Sequence, residues 1–408
     1  MALNPIVLSI PIFFILIGIE VFYDRFAKKD VYRLNDALTN ISCGITEQVS
    51  GVFAKVFTVG LYYGVYEYFR LFTVPTAWYW LVLLFLLVDF SYYWAHRWSH
   101  EVNLFWAGHV VHHQSEEYNL SVALRQGALQ KLFTSLVYLP LALVGFDPHW
   151  FLVLAAYNTL YQFWIHTQYI GRMGWLEYVL NTPSHHRVHH GRDPKYIDKN
   201  HAGSLIIWDR LFGTFQQEEE APHYGITAPL NSWNPVYAQV QHVGNIWEDF
   251  RRVNGFRNKW MVLFGKPGWL PEELGGYRAP REVAPDYHKF DRTVSTPLNV
   301  YVLVQYALLL GGTSYFLFNL DSFNGWEKAL MAVLIFYTSA TLGQLMELQP
   351  KARSYELLRL ALCAGALLLL FPALRSMPWV LLVAVAAWGS AWAIMRLKLE
   401  SKEDEKSL

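Results

Sequence analysis

From Trp78 to Ala95 the chain runs for 18 residues with a single charge, Asp89. Comparable apolar runs recur at about 6–23, 298–320, 327–347, 355–373 and 379–396, and a further one at 43–68 is interrupted by Lys55 and Glu67. An α-helix rises about 1.5 Å per residue, so roughly twenty apolar residues match the hydrocarbon core of a bilayer. Two more runs, Leu129–Val144 and Trp150–Phe163, flank the turn-like Gly-Phe-Asp-Pro at 145–148. They read as a helical hairpin that either crosses the bilayer or dips into it. The pattern predicts an all-α, polytopic membrane protein with about nine membrane helices if the hairpin crosses. Composition agrees: 53% of residues are hydrophobic and 16% charged, where a soluble domain carries about 25% charged. A soluble globular protein and a disordered chain are both excluded.

The first run precedes Arg25, Lys28, Lys29 and Arg33. A cleavable signal has its positive charge before the apolar run, so this reads as a retained helix whose C-terminal flank faces the cytoplasm. With that orientation the outer connections, about 69–77, 145–149, 320–327 and 374–378, hold only Arg70 and Arg375, with Lys328 at a boundary. Most other Lys and Arg fall inside, including Arg396, Lys398, Lys402 and Lys406. The chain divides into N-terminal membrane helices (1–77), a catalytic region (78–250), a connector (251–297), a C-terminal four-helix membrane module (298–397) and a charged tail (398–408). Lys+Arg and Asp+Glu balance at 33 each, which leaves no basic excess for nucleic acid. Cys43 and Cys363 alone exclude a disulfide framework or a CxxC site.

Twelve of the fifteen histidines lie between His96 and His201, where an even spread would put about four. They form a HxxxH (His96, His100), a HxxHH (His109, His112, His113) and a HHxxHH (His185, His186, His189, His190). On a helix, residues three and four apart share a face, so each cluster points its imidazoles at one spot. Asp89, about two turns before His96, falls on the same face. Surface histidines binding lipid headgroups would account for one such motif but not for three at a membrane–cytosol boundary. Eight or nine imidazoles exceed what one tetrahedral ion uses and fit two metals, each with a position left open. Imidazole suits zinc, iron and copper alike. No HExxH is present, which excludes the zinc-protease pattern. Neutral nitrogens beside a membrane suit redox-active iron, dioxygen and an apolar substrate; zinc has no redox chemistry.

The sequence resembles the fatty acid hydroxylase / sterol desaturase superfamily and, within it, the alkylglycerol (glyceryl-ether) monooxygenase family. The resemblance rests on His96-Arg-Trp-Ser-His100-Glu101, Phe105-Trp106-Ala107-Gly108-His109 through His112-His113, and Glu117-Tyr118-Asn119-Leu120-Ser121. It continues through Ala123-Leu124-Arg125-Gln126, Asn181-Thr182-Pro183-Ser184 with the HHxxHH, Asp198-Lys199-Asn200 and Ile206 to Phe215. It implies that His96, His100, His109, His112, His113, His186, His189 and His190 hold two irons, with His185 and His166 as further candidates. It implies an O2-dependent monooxygenase acting on a membrane lipid, an ether lipid first, with attack at the alkyl carbon beside the ether oxygen. Tetrahydrobiopterin is the implied electron donor and Glu101 the position linked to it. The membrane would be the endoplasmic reticulum in a eukaryote and the cytoplasmic membrane in a bacterium, with the histidine-rich cap on the cytoplasmic side. Where related hydroxylases carry a further histidine this chain has Tyr169–Gly171, and His201 stands where the resembled family has tyrosine.

Other residues keep two readings at this stage. Glu116 and Glu117 either orient imidazole N–H groups or are exposed charges. Arg125 and Arg187 either meet substrate or lie on helix surfaces. Trp208-Asp209-Arg210 reads as a turn closing the catalytic region. His149, His223, His242 and His288 are isolated and read as non-ligands. No GxGxxG and no fused cytochrome b5 signature is present, so electrons come from an external donor, a reduced pterin or a separate redox protein. Sterol or fatty-acyl hydroxylation or desaturation is the alternative reaction, and a non-catalytic metal-binding membrane protein the alternative class.

Overall fold

A computed structural model describes residues 5–292, 294–397 and 399. The charged tail expected over 398–408 therefore lies, but for Leu399, outside the described residues. The chain is helical, and among the described residues the only extended pairings are isolated bridges at Leu180–Leu205 and Gly191–Tyr224. It forms two compact units, one of residues 1–230 and 239–288, the other of residues 231–238 and 289–408.

In the first unit, α1 (Pro5–Ala27), α2 (Leu34–Phe69) and α3 (Trp78–Glu101) occupy the first three apolar runs. α2 is 36 residues long, about 54 Å and well beyond a bilayer's core. Its first turns are polar and buried, with Asp36, Asn40, Ser42 and Glu47 all inside the protein; Val56, Phe57 and Tyr63 further along are exposed. The hairpin is built from short pieces. Its first arm is α5 (Gln130–Thr134), a 3-10 turn and α6 (Leu139–Val144); its second is α7 (Pro148–Trp164). At 17 residues, α7 spans about 26 Å, short of a roughly 30 Å core. Gly145, with φ of +108°, ends α6, and Asp147 caps α7 by accepting from the backbone N–H groups of His149 and Trp150.

α3 runs without a break through the HxxxH motif, and α4 (Asn103–His113) turns back against it. Three short or moderate helices follow: α8 (Pro183–His189), α9 (Ile207–Phe212) and α10 (Pro235–Arg252); α11 (Phe256–Phe264) completes the series. In the second unit α12 (Thr296–Phe318), α13 (Gly325–Met346), α14 (Ala352–Leu370) and α15 (Met377–Arg396) pack in sequence order. Here the Arg359 guanidinium donates to buried Glu356 and to Gln305, while Tyr301 donates to the same carboxylate. The network ties α12 to α14 with each charge answered. Among the described residues five helices, α2, α3, α12, α13 and α15, are long and apolar enough to cross a membrane.

Asp89 does not face the histidines, although it shares their side of α3. Seven residues lie about 10 Å along a helix axis, and at that height the neighbour is the loop before α9. The Asp89 carboxylate accepts from the backbone N–H of Ser204 at 2.7 Å and of Leu205 at 3.1 Å, from Trp208 Nε1 at 2.9 Å, and from Asn158 Nδ2 on α7. The approach demands glycine at 203, where a Cβ would stand 2.7 Å from Asn158 and 3.0 Å from Asp89 itself. Asp89→Ala strips the acceptor from four donors, two of them fully buried, and each such bond to a charged group contributes about 1.5–3 kcal/mol. We expect a loss of about 3 kcal/mol or more, read as a lower melting temperature in detergent; an unchanged melting curve would mean the loop is held some other way.

Candidate metal centre

Nine histidines converge in two groups. His96, His100, His109, His113 and His189 form the first; His112, His166, His186 and His190 form the second. Within each group one nitrogen per residue lies within 4.8 Å of all the others, and every one of the nine is buried. Eight of the nine motif histidines, all but His185, are therefore brought together, and so is His166, which stands just beyond α7.

The motifs do not map one to one onto the groups. Successive helix residues diverge by about 100°, so His112 and His113 cannot address the same point. On α4, His109 and His113 turn to the first group and His112 to the second; at α8, His189 joins the first, and His186 and His190 the second. The HxxHH and HHxxHH motifs thus each span both groups, contrary to the expectation that each would serve a single spot, whereas His96 and His100 of the HxxxH both serve the first.

Nitrogen spacing fits a metal. His96 Nε2 lies 2.8 Å and His113 Nε2 3.2 Å from His109 Nε2. In the second group His166 Nε2 is 3.3 Å from His112 Nε2 and 3.1 Å from His186 Nε2. With metal–nitrogen bonds of about 2.0–2.1 Å, adjacent ligands in octahedral or tetrahedral packing are about 2.9–3.3 Å apart. The tautomers say the same. His112 Nδ1 donates to Arg125 O at 2.8 Å and His166 Nδ1 to Gln162 O at 2.7 Å. Both rings, when neutral, then face each other with lone pairs alone, an arrangement that a cation between them makes favourable. His96 Nδ1 and His189 Nδ1 are held likewise by the carbonyls of His201 and Lys199.

These backbone acceptors take the role considered above for Glu116 and Glu117. Glu117 instead pairs with Arg33 at 2.6 Å, and Glu116 lies 3.7 Å from Arg192 and accepts from Tyr287. Arg125 is fully buried, not on a helix surface. Its Nε donates to Val111 O at 2.7 Å, closing the end of α4, and its NH2 groups reach Asn40 and Gln114. Arg187 is clamped by Glu218 and donates to the carbonyls of Thr167 and Ile170, fixing the chain after His166. Asp209 accepts from the backbone N–H groups of His201 and Ala202, both at 2.8 Å, and so sets the carbonyl that orients His96.

His185 joins neither group; its ring meets Phe215 edge-on. His201 is fully buried beside the first group, its ring 5.1 Å from that of His100, and neither ring nitrogen has a hydrogen-bond partner. Glu101 pairs with Arg97 at 3.0 Å. His223 pairs with Asp193, and His242 bonds Asn103, both away from the two groups. Sequence reasoning missed Trp106 and Tyr118 as packing partners. Trp106 lies 4.9 Å from the His100 ring, and Tyr118 is stacked 5.7 Å from that of His166. Only their membership of the motif-bearing stretches hinted at it.

Burial keeps these imidazoles neutral. It holds His112 down at about 4 and His189 at about 3, from an ordinary value of 6.5. His113 and His190 are likewise held well below that ordinary value, by burial first and by neighbouring imidazoles next. Between pH 6.5 and these values the unfolded chain binds more protons than the folded one, so stability rises with pH and is lost as pH falls below about 6.5. Each such histidine contributes up to about 1.4 kcal/mol per pH unit. Chelator-treated protein should therefore melt at progressively lower temperature from pH 6.5 to pH 5; a flat profile would contradict the neutral, buried assignment.

Residues 81–214 match the fatty acid hydroxylase family. The alkylglycerol monooxygenase of Homo sapiens is 42% identical over 367 residues, which cover 88% of this chain and 82% of that protein. Those of Xenopus tropicalis and Danio rerio are 41% and 38% identical, covering 85% and 81% of this chain and 78% and 74% of their own length. No solved structure matches. The chain belongs to the fatty acid hydroxylase family, in its alkylglycerol monooxygenase branch.

Proposed function

We propose that this membrane enzyme is a di-iron monooxygenase that cleaves the ether bond of alkylglycerols. The reading rests on the two histidine groups, whose facing lone pairs and nitrogen spacing fit a pair of metal ions. The irons, when bound, would supply activation of dioxygen and insertion of one oxygen atom into a C–H bond. The substrate class follows from the relatives' shared name. Hydroxylation of the alkyl carbon beside the ether oxygen consumes one dioxygen and two electrons with two protons, and releases one water. The resulting hemiacetal collapses to a fatty aldehyde and a glycerol.

The chain's own residues fix the conditions for that chemistry. The carbonyls of Arg125, Gln162, Lys199 and His201 hold four imidazoles in the Nδ1–H tautomer, leaving Nε2 for the metal. Burial of all nine histidines keeps bulk water from the reacting centre. We assign Glu101, steadied by Arg97 at 3.0 Å, to meeting the donor, tetrahydrobiopterin. His201 fits as a further nitrogen donor to the first metal. The distribution of Lys and Arg about the spans supports a site on the cytoplasmic side.

Iron-loaded protein in detergent, given a labelled alkylglycerol, oxygen and reduced tetrahydrobiopterin, is expected to release fatty aldehyde in step with glycerol. No aldehyde from protein carrying two irons per chain would sink the ether-lipid reading and shift the search to sterols and fatty acyl chains. The two groups also differ in what mutation removes. His112→Ala should lower the iron content from two toward one per chain, as should His189→Ala, and each should abolish turnover while the protein stays folded. Full metal content and activity in either variant would strike that residue from the ligands.

A further inference from the structure

The helix that ends the catalytic region, α10, and the one that opens the connector, α11, leave an aromatic face uncovered. On their inner side Ile246 and Val253 of the α10 segment and Val262 of α11 pack with Ala107 of α4 and with Leu270. On the outer side Val240, Val243 and Trp247 are exposed along α10, and Phe256, Trp260 and Phe264 along α11. The spacings, three and seven residues in the first case and four and eight in the second, align each set as a stripe. Phe256 is 81% exposed. Trp260 lies 6.2 Å from the Phe256 ring and 4.3 Å from that of Phe264, so the α11 aromatics form one contiguous surface. Contiguous exposed apolar patches of this kind mark a contact with something else.

The bonding of Asn103 says at what level this surface sits. Asn103 stands two residues beyond the end of α3, a helix apolar enough to span the membrane. Its backbone N–H donates to Gly265 O at 2.9 Å and its Nδ2 to Val262 O at 2.8 Å; its Oδ1 accepts from His242 Nε2 at 2.8 Å. Both helices are thus tied to the end of a span, where hydrocarbon gives way to water. Charge agrees with that position. Residues 239–264 carry Arg251, Arg252, Arg257 and Lys259 against Glu248 and Asp249, and Asp249 is already engaged by Arg252 and Arg278. Arg251 lies over the Trp247 ring at 5.8 Å and Lys259 over Phe250 at 5.0 Å. Cations rimming an aromatic stripe are the pattern of a helix lying in a membrane interface, with its rings in the acyl boundary and its charges among the headgroups.

We infer that α10 and α11 form an interfacial anchor, and that the partner of their exposed stripe is the surface of the same bilayer that α3 crosses, with anionic headgroups favoured. The opposite side of this anchor carries α4, the helix of His109, His112 and His113. The layer formed by α10 and α11 therefore lies between the lipid surface and the helix that carries three of the histidines. This inference stands whichever reaction the centre performs.

The test places nitroxide labels at Phe256→Cys and Val243→Cys, with Glu248→Cys as a reference on the polar flank of α10. The full chain carries Cys43→Ala and Cys363→Ala and is held in nanodiscs of phosphatidylglycerol and phosphatidylcholine; labelled variants must melt with their parent. Collision with oxygen should exceed collision with a water-soluble nickel chelate at 256 and 243, and the order should reverse at 248. Nickel collision dominating at 256 and 243 would put the stripe in water and overturn the inference. Poor access to both reagents, with spin–spin broadening that unlabelled protein relieves, would overturn it in favour of a second copy of the chain.

Discussion

Two imidazole nitrogens facing each other at 3.3 Å, both stripped of their protons by carbonyls behind them, set the terms for the rest of this structure. Lone pairs so placed repel unless a cation lies between them, and burial makes a proton a poor candidate at neutral pH. The arrangement is favourable only when positive charge arrives from outside. Before then it must be enforced by the scaffold, and much of the buried polar network around the centre does that. Carbonyl acceptors fix ring orientation, and the loops carrying those carbonyls are themselves held by side chains with several bonds each.

Three side chains do most of the holding. Asp89 gathers α7 and the loop at 203–208 onto α3. Asp209 fixes the backbone at 201–202, and with it the carbonyl that orients His96. Arg125 closes α4 through Val111 O, while its own carbonyl accepts from His112. Each is charged and buried, which is costly unless every hydrogen-bonding position is answered. Here the answering groups belong to the same segments that must be positioned, so satisfying the charge and placing the imidazoles are one requirement. Asn200 and Asp198 add to this: both adopt positive φ, near +55°, which short polar side chains tolerate. Between them Lys199 presents its carbonyl to His189.

Histidine identity was legible in the sequence because HxxxH and HxxHH place imidazoles on helix faces by a rule that needs no tertiary information. The split of the HxxHH and HHxxHH motifs between two groups was equally contained in that rule: a 100° step separates His112 from His113 and His189 from His190. His166 and His185 show the limit. His185 sits inside a dense motif yet turns toward Phe215, whereas isolated His166 enters the second group. What decides between them is where α7 ends relative to α8, a long-range fact with no local signature. The carbonyl acceptors could not be read at all, since every residue has one. The same blindness applies to Glu116 and Glu117, whose acidic character suggested second-layer support for the imidazoles but whose partners, Arg192 and Arg33, arrive from elsewhere in the chain. Apolar runs gave the positions of the long helices well, although α2 begins nine residues before its apolar run and buries those first turns.

The neutral donor set explains why such a centre can stand beside a bilayer. No carboxylate enters either group, so the empty site carries no net charge to be desolvated, and the chain can fold against hydrocarbon without waiting for metal. A carboxylate-rich site of the same size would bring several anions into that environment and would depend on the ion for its folding. The consequence runs the other way in acid. Imidazoles that are uncharged when buried become the groups that draw protons to the unfolded chain below pH 6.5, so the feature that makes the site compatible with the membrane also makes the metal-free protein sensitive to acid. Metal opposes this by competing for the same lone pairs, and its binding is therefore linked to stability most strongly in the pH range where the histidines begin to titrate.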